Sequence, residues 1–245
     1  QFTDPHLFGA ADGALRGVQT WPSLLATLEH ARRHHWPCDA VLVTGDLDLD
    51  DPAGYGRFRD VFGGLGVPVH CIPGNHDDPA EILKVLQTKP FQLNGVARWG
   101  KWFGVMLDSQ VPRAAGGRLS AASLEALDRA LTDHAHLHGI VCLHHHPVNM
   151  GSEWLDSVGL ENAEAFFEVL DRHRNVRAVL WGHVHQVHDS VRKGVRLMST
   201  PSTCAQFLPG SDAFAIDRRP PGYRWLELRA DGTLDSGVVW VKPAE

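Results

Sequence analysis

The chain has 245 residues, 43% of them hydrophobic and 21% charged, with a formal net charge of -6, the make-up of a folded globular protein long enough to bury a sizeable core. That balance excludes a disordered chain, and no run approaches the roughly 20 apolar residues of a membrane helix, so no membrane partner is expected. The net acidity, without a Lys/Arg stripe interleaved with aromatics, argues against nucleic acid as a partner; RRPPG at 218–222 is the one compact basic patch and reads as a turn.

In chain order, a helix is predicted over 21–35, followed by AVLVTGD (40–46), a buried strand running into a loop. A helix over 53–64 precedes VPVHCIPGNHD (67–77), and another over 79–87 precedes WFGVMLDS (102–109). A helix over 120–135, with Ser120 as its N-cap, leads to IVCLHHHP (140–147), and one over 161–173 leads to VRAVLWGHVH (176–185). After residue 190 the pattern becomes strand-rich, with VRLMSTPS, AFAIDR, YRWLELR and TLDSGVVWVK separated by Pro and Gly turns. No repeat or linker divides the chain. The expectation is a single α/β domain over 1–245, with two packed sheets flanked by helices and a β-rich C-terminal part; one doubly wound sheet is the alternative.

The cysteines Cys38, Cys71, Cys142 and Cys204 form no CxxC pair and sit in apolar surroundings, which predicts free thiols and a cytoplasmic location. Histidine is the unusual count, at 16. His34, His35, His134, His136 and His138 lie in polar stretches with no partner motif and read as structural or solvent residues.

Five polar motifs fall at the ends of predicted strands, where open α/β sheets place their ligand sites. They are TDPH (Asp4, His6), GDL (Asp46), GNHD (Asn75, His76, Asp77), LHHHP (His144, His145, His146) and GHVH (His183, His185). Each alone has a turn or capping reading. Together they assemble oxygen and nitrogen donors with no thiolate, a mixture that suits Mn, Fe, Zn or Ni. Asp4, His6, Asp46, Asn75, one residue of the triple histidine, His183 and His185 make seven donors. Seven is more than one transition metal needs and suits two metals sharing a carboxylate, the arrangement that hydrolyses phosphoesters. Side chains alternate along a strand, so at most two of the three consecutive histidines are expected to share a pocket.

This ordered set resembles the calcineurin-like metallophosphoesterases, whose fold is a four-layer αββα sandwich. The resemblance implies that Asp4, His6, Asp46 and His185 hold one metal and that Asp46, Asn75, His144 and His183 hold the second, with Asp46 as the bridge. The two ions would be Fe, Mn or Zn. It places His76 beside the scissile phosphate as general acid or charge stabiliser, with Asn75, His76, His185 and His146 as substrate contacts. His144 is the family ligand of the triple histidine, with His145 as the alternative ligand; alternation turns His145 away and returns His146 toward the substrate. Asp77 is expected to hold a neighbouring ring or loop.

Longer stretches carry a narrower resemblance. LFGAADGALRGVQTWPSLLATLEHA, NMGSEWLDSVGLENAEAF and TPSTCAQFLPGSDAFAIDRRPPGYRWLEL resemble the class III cyclic nucleotide phosphodiesterases. This implies hydrolysis of 3',5'-cyclic AMP to 5'-AMP by a metal-bridging hydroxide, with a cyclic nucleotide as the small-molecule partner. Trp154 and Phe207 offer walls for a purine, ordinary packing being the alternative. A glycerophosphodiester or a 2',3'-cyclic nucleotide is the competing substrate, and a non-catalytic scaffold the competing class. Every motif position is filled, which disfavours the scaffold.

Overall fold

Short runs of branched and aromatic residues become strands whose side chains are buried on both faces. Val41–Thr44, Val69–Ile72 and Trp102–Met106 are buried throughout, as strands must be when a helix covers one face and a second sheet the other. The computed structural model describes residues 1–242. A three-stranded parallel sheet takes the order Val41–Thr44, Val69–Ile72, Phe91–Leu93. Phe2 bridges Val43 in parallel on its outer edge. The backbones of Gln1 and Arg224 exchange two hydrogen bonds, which seats the hairpin Gly222–Leu228/Leu234–Trp240 beyond the N-terminal segment.

The second sheet has six strands in the order His188–Arg192, Val195–Ser199, Val176–Trp181, His138–Cys142, Trp102–Met106, Gly95–Trp99. Its four central strands are parallel and both edge strands antiparallel.

Alternation along these strands sorts their side chains into three cores. Val41, Val43, Val69 and Cys71 meet Leu24, Leu28, Phe58 and Phe62, which belong to the helices Thr20–His34 and Gly54–Gly63. Leu42, Ile72, Trp102, Met106, Ile140, Cys142, Leu180 and Met198 fill the space between the sheets. Phe103, Val105, Val141 and Val179 face Leu127, Leu131, Phe166 and Leu170 of the helices Ala121–Asp133 and Ala163–Leu170. Three cores separate four layers, so the fold is the αββα sandwich and the single doubly wound sheet is excluded.

Helix and strand positions agree closely with the sequence pattern, and Ser120 caps its helix by accepting a hydrogen bond from Ser123 N at 3.0 Å. The helix expected over 161–173 is confined to Ala163–Leu170. AFAIDR contributes only Ile216–Asp217, paired with Gln206–Phe207. The edge strands Phe91–Leu93, Gly95–Trp99 and His188–Arg192 have no counterpart in the pattern because their burial is partial, so they carry no continuous apolar run. All four cysteines are free thiols, and Cys71, Cys142 and Cys204 are buried.

One titratable group belongs to the strand packing itself. His70 is 5% exposed and meets Trp99 edge-on at 5.2 Å between ring centroids; burial pushes it below its ordinary value, with Gln92 beside it only partly opposing. The folded state therefore binds fewer protons here than the unfolded chain, so the contribution is complete above the unfolded pKa of about 6.5 and declines below it. Urea denaturation of the metal-free protein between about pH 7 and about pH 5 is expected to show stability falling with pH, and His70→Leu to make the fall shallower. An unchanged slope in the variant would remove His70 from the account.

Candidate metal centre

The motif residues leave the C-terminal ends of the parallel strands, and most do so in a conformation that side chains resist. Asp4, His6, Asp46, His183 and His185 have φ of 50, 47, 52, 67 and 47°, five of the seven expected metal ligands in the left-handed region. Such a residue costs on the order of 1–2 kcal/mol and persists only where its surroundings over-determine it. Here the backbone supplies the hold: Asp4 N donates to Gly45 O and His6 N to Asp46 O, both at 3.0 Å. His183 N donates to the Asp4 carboxylate at 3.1 Å, and His76 N to Asp46 Oδ1 at 3.0 Å.

Two glycines permit the close approach. Gly45 has φ of 96°, and a Cβ there would strike the His144 ring and the Gly74 backbone; a Cβ on Gly182 would strike Thr3 Oγ1 and Asp4 Oδ2.

The side chains converge on Asp46. Its Oδ2 lies 3.7 Å from His6 Nε2 and 3.4 Å from His144 Nε2, and Asn75 Oδ1 lies 3.2 Å from that same His144 nitrogen. On the other side, His185 Nε2 is 3.3 Å from Asp4 Oδ1 and 3.1 Å from His6 Nε2. Carbonyl oxygens orient the rings: His144 Nδ1 donates to Thr44 O and His185 Nδ1 to Ala205 O, each at 2.7 Å, which leaves both Nε2 lone pairs facing the centre. His183 Nε2 lies 3.1 Å from Val158 O, leaving Nδ1 as that ring's donor to the site. Asp46 belongs with Asp4 and His144 in one group of ligand atoms mutually within 4.8 Å and with His6 and His76 in another, while Asp4, His6 and His185 form a third.

Burial shapes the charges. It raises the Asp46 carboxyl, but His144 and His6 more than reverse this and hold it well below the ordinary carboxylate range. Asp4 is treated likewise, with His185 overcoming burial. Burial pushes His6 down to about 3 and His183 well below its usual value. His144 goes the other way: burial opposes the charged ring, Asp46 prevails, and the value rises to about 9. Charged carboxylates and neutral imidazoles with converging lone pairs are what a cation requires, and at His144 binding would displace a proton. The donor set therefore fits N/O-ligated transition metals.

Not every expectation about the motifs matches the geometry. The strand ends at Cys142, so pleat alternation does not govern the histidines after it. His145 is not turned away: it joins His144 and His183 in a fourth group within 4.8 Å, its Nδ1 2.8 Å from Ser109 Oγ. His146 is only 3% exposed and lies parallel to the His183 ring at 5.7 Å. It backs that ring.

His76 is the open member of the cluster, with its side chain 35% exposed and Nδ1 3.3 Å from Asp50 Oδ2. Asp77 accepts from Leu47 N, Gly74 N and Tyr55 OH at 3.0, 2.7 and 3.1 Å, tying the Asp46 turn to the Asn75 turn. Asp50, Tyr55, Ser109 and the Ala205 carbonyl carry no motif signal. Only the folded chain brings them in.

A cavity of about 980 Å³, lined by Trp36, Trp99, Trp102, Arg224 and Trp225, opens at the N-terminal ends of the strands and holds none of these ligands. Strand-end His, Asp and Asn donors on an αββα sandwich define a metal-dependent phosphoester hydrolase. The chain belongs to the calcineurin-like phosphoesterase family, whose model matches residues 1–187.

It is 40% identical to the 3',5'-cyclic adenosine monophosphate phosphodiesterase CpdA of Pseudomonas aeruginosa, over 97% of this chain and 88% of that protein. It is 41% identical to the protein of the same name from Escherichia coli strain K12, over 97% of this chain and 87% of the relative. A dimetal phosphatase from Danio rerio superposes with a TM-score of 0.63 at 16% identity, covering 98% of each chain, and shares the fold.

Asp46→Ala is expected to leave the purified protein with little bound metal by elemental analysis and no hydrolysis of bis(p-nitrophenyl) phosphate; two metals retained would refute a shared carboxylate. His144→Ala is expected to lower the metal content, whereas His145→Ala, which alters a ring held by Ser109, retains it.

Proposed function

We propose that the chain, acting as one catalytic domain in the cytoplasm, is a two-metal phosphodiesterase that hydrolyses 3',5'-cyclic AMP to 5'-AMP. The observation that carries the two-metal reading is the place of buried Asp46 between ligand groups on either side. The substrate follows from near full-length similarity to the cyclic AMP phosphodiesterases of P. aeruginosa and E. coli. Asp4, His6, Asp46 and His185 would hold one ion, and Asp46, Asn75, His144 and His183 the other, Fe, Mn or Zn. Bound there, the ions supply the charge that draws in the phosphate and the acidity that activates water near neutral pH.

The chain's own residues do the rest. Asn75 and His185 border the place where the phosphate oxygens lie. His76, exposed beside Asp46 and oriented by Asp50 through Nδ1, gives a proton to the ribose 3' oxygen as its bond to phosphorus breaks. The 5' ester remains, so the product is 5'-AMP.

A glycerophosphodiester or 2',3'-cyclic nucleotide is the second reading, because attack at phosphorus depends little on the alcohol. A scaffold is disfavoured by the complete donor set. Neither nucleic acid nor a membrane belongs to the proposal; no helix among the described residues is long and apolar enough to cross a membrane.

Protein reconstituted with Mn, Fe or Zn is expected to turn over 3',5'-cyclic AMP faster than 2',3'-cyclic AMP or a glycerophosphodiester, and to stop on chelation. Turnover of the synthetic diester alone would overturn the substrate. His76→Ala is expected to keep both metals while kcat falls by on the order of 10² to 10⁴; loss of a metal instead would make His76 a ligand.

A further inference from the structure

Beside the metal centre lies an aromatic surface that the hydrolytic step does not use. The Phe207 ring is parallel to His185, 4.0 Å between centroids at an interplanar angle of 5°, and its N donates to His185 O at 3.3 Å. Trp154 and Phe214 meet Phe207 edge-on at 5.1 and 5.4 Å, and each other at 5.2 Å. Phe207 is thus committed to the ligand ring, while Phe214 remains 42% exposed. The Arg16 guanidinium lies over Phe214, 4.7 Å from the ring centroid.

Each part is held in place. Arg16 and Gly17, with φ of 52 and 85°, form the tip of a two-residue hairpin turn between Ala14–Leu15 and Val18–Gln19, shortly after the loop that carries Asp4 and His6. The Trp154 and Phe214 loops are fastened together by Trp154 N donating to Asp212 O at 3.2 Å and by a bond from Ser152 Oγ to Ser211 O.

We infer that Arg16 and Phe214, backed by Trp154, form the subsite that binds the purine of a cyclic nucleotide. The inference rests on the cyclic nucleotide reading and names the residues that set its specificity. The guanidinium lying over the Phe214 ring, with that ring still partly exposed, presents a flat surface of the kind on which proteins stack nucleobases. The spacing suits the substrate: a phosphate at His185 leaves the base one ribose away, and Phe214 stands two ring contacts from His185. The acyclic chain of a glycerophosphodiester would have nothing to stack here, so the subsite separates a cyclic nucleotide from that rival.

The experiment uses the metal-loaded protein with Phe214→Ala, Phe214→Trp and Arg16→Ala. Wild type is assayed first on 3',5'-cyclic AMP; absence of turnover overturns the cyclic nucleotide reading and this subsite with it. Given turnover, Phe214→Ala and Arg16→Ala are expected to raise KM for cyclic AMP by about 5-fold or more, beyond any change in kcat, and Phe214→Trp to restore it. Inhibition by 5'-AMP should weaken in parallel, while inhibition by ribose 5-phosphate, which lacks the base, should not. Equal loss of both inhibitors, or an unchanged KM, overturns the subsite and leaves the cyclic AMP reading standing.

Discussion

The turn from Thr44 to Asp46 is the constraint on which the site depends. Thr44 O accepts from His144, Gly45 O from Asp4, and Asp46 O from His6, so one turn positions ligands from two other segments. The Asp46 carboxylate then receives His76 N and faces both His6 and His144. Because the residue before it is glycine, the His144 ring can rest against the backbone where any Cβ would intrude. Asp77 pins the following residues to Gly74, so the Asn75 loop moves with this turn.

Such a turn is tolerable only on a rigid frame. Three apolar cores lock the two sheets and their covering helices, and close packing there fixes the strand ends to which the loops attach. The site concentrates what the cores avoid: left-handed side-chain-bearing residues and buried carboxylates, Asp4 and Asp46 among them. Burying those charges is costly unless opposite charge or hydrogen bonds meet them. Backbone amides and imidazoles meet part of that need, and a bound cation would meet the remainder.

Much of this was legible because the ligands follow strands in short, ordered motifs. Buried runs such as VLVT and VRAVLW announce strands, and the Asp, Asn and His after them announce the ends at which a site forms. The triple histidine was harder. Its reading assumed that the strand's alternation continued through LHHHP, but pairing stops at Cys142, and all three rings gather around His183. The edge strands escaped notice because they are short and only partly buried, so neither an apolar run nor a sustained alternation marks them.

The amino-acid order by itself determined the layered α/β class, the strand ends that carry the chemistry and the oxygen and nitrogen character of the donors, because periodicity and residue type are local properties. Tertiary structure alone decided which ring nitrogen faces the centre, that Asp50 lies against His76, and that Arg16 covers Phe214 across nearly the whole length of the chain. Those relations depend on how two twisted sheets pack and where their loops meet, and contacts so distant in sequence leave no periodic trace within either segment.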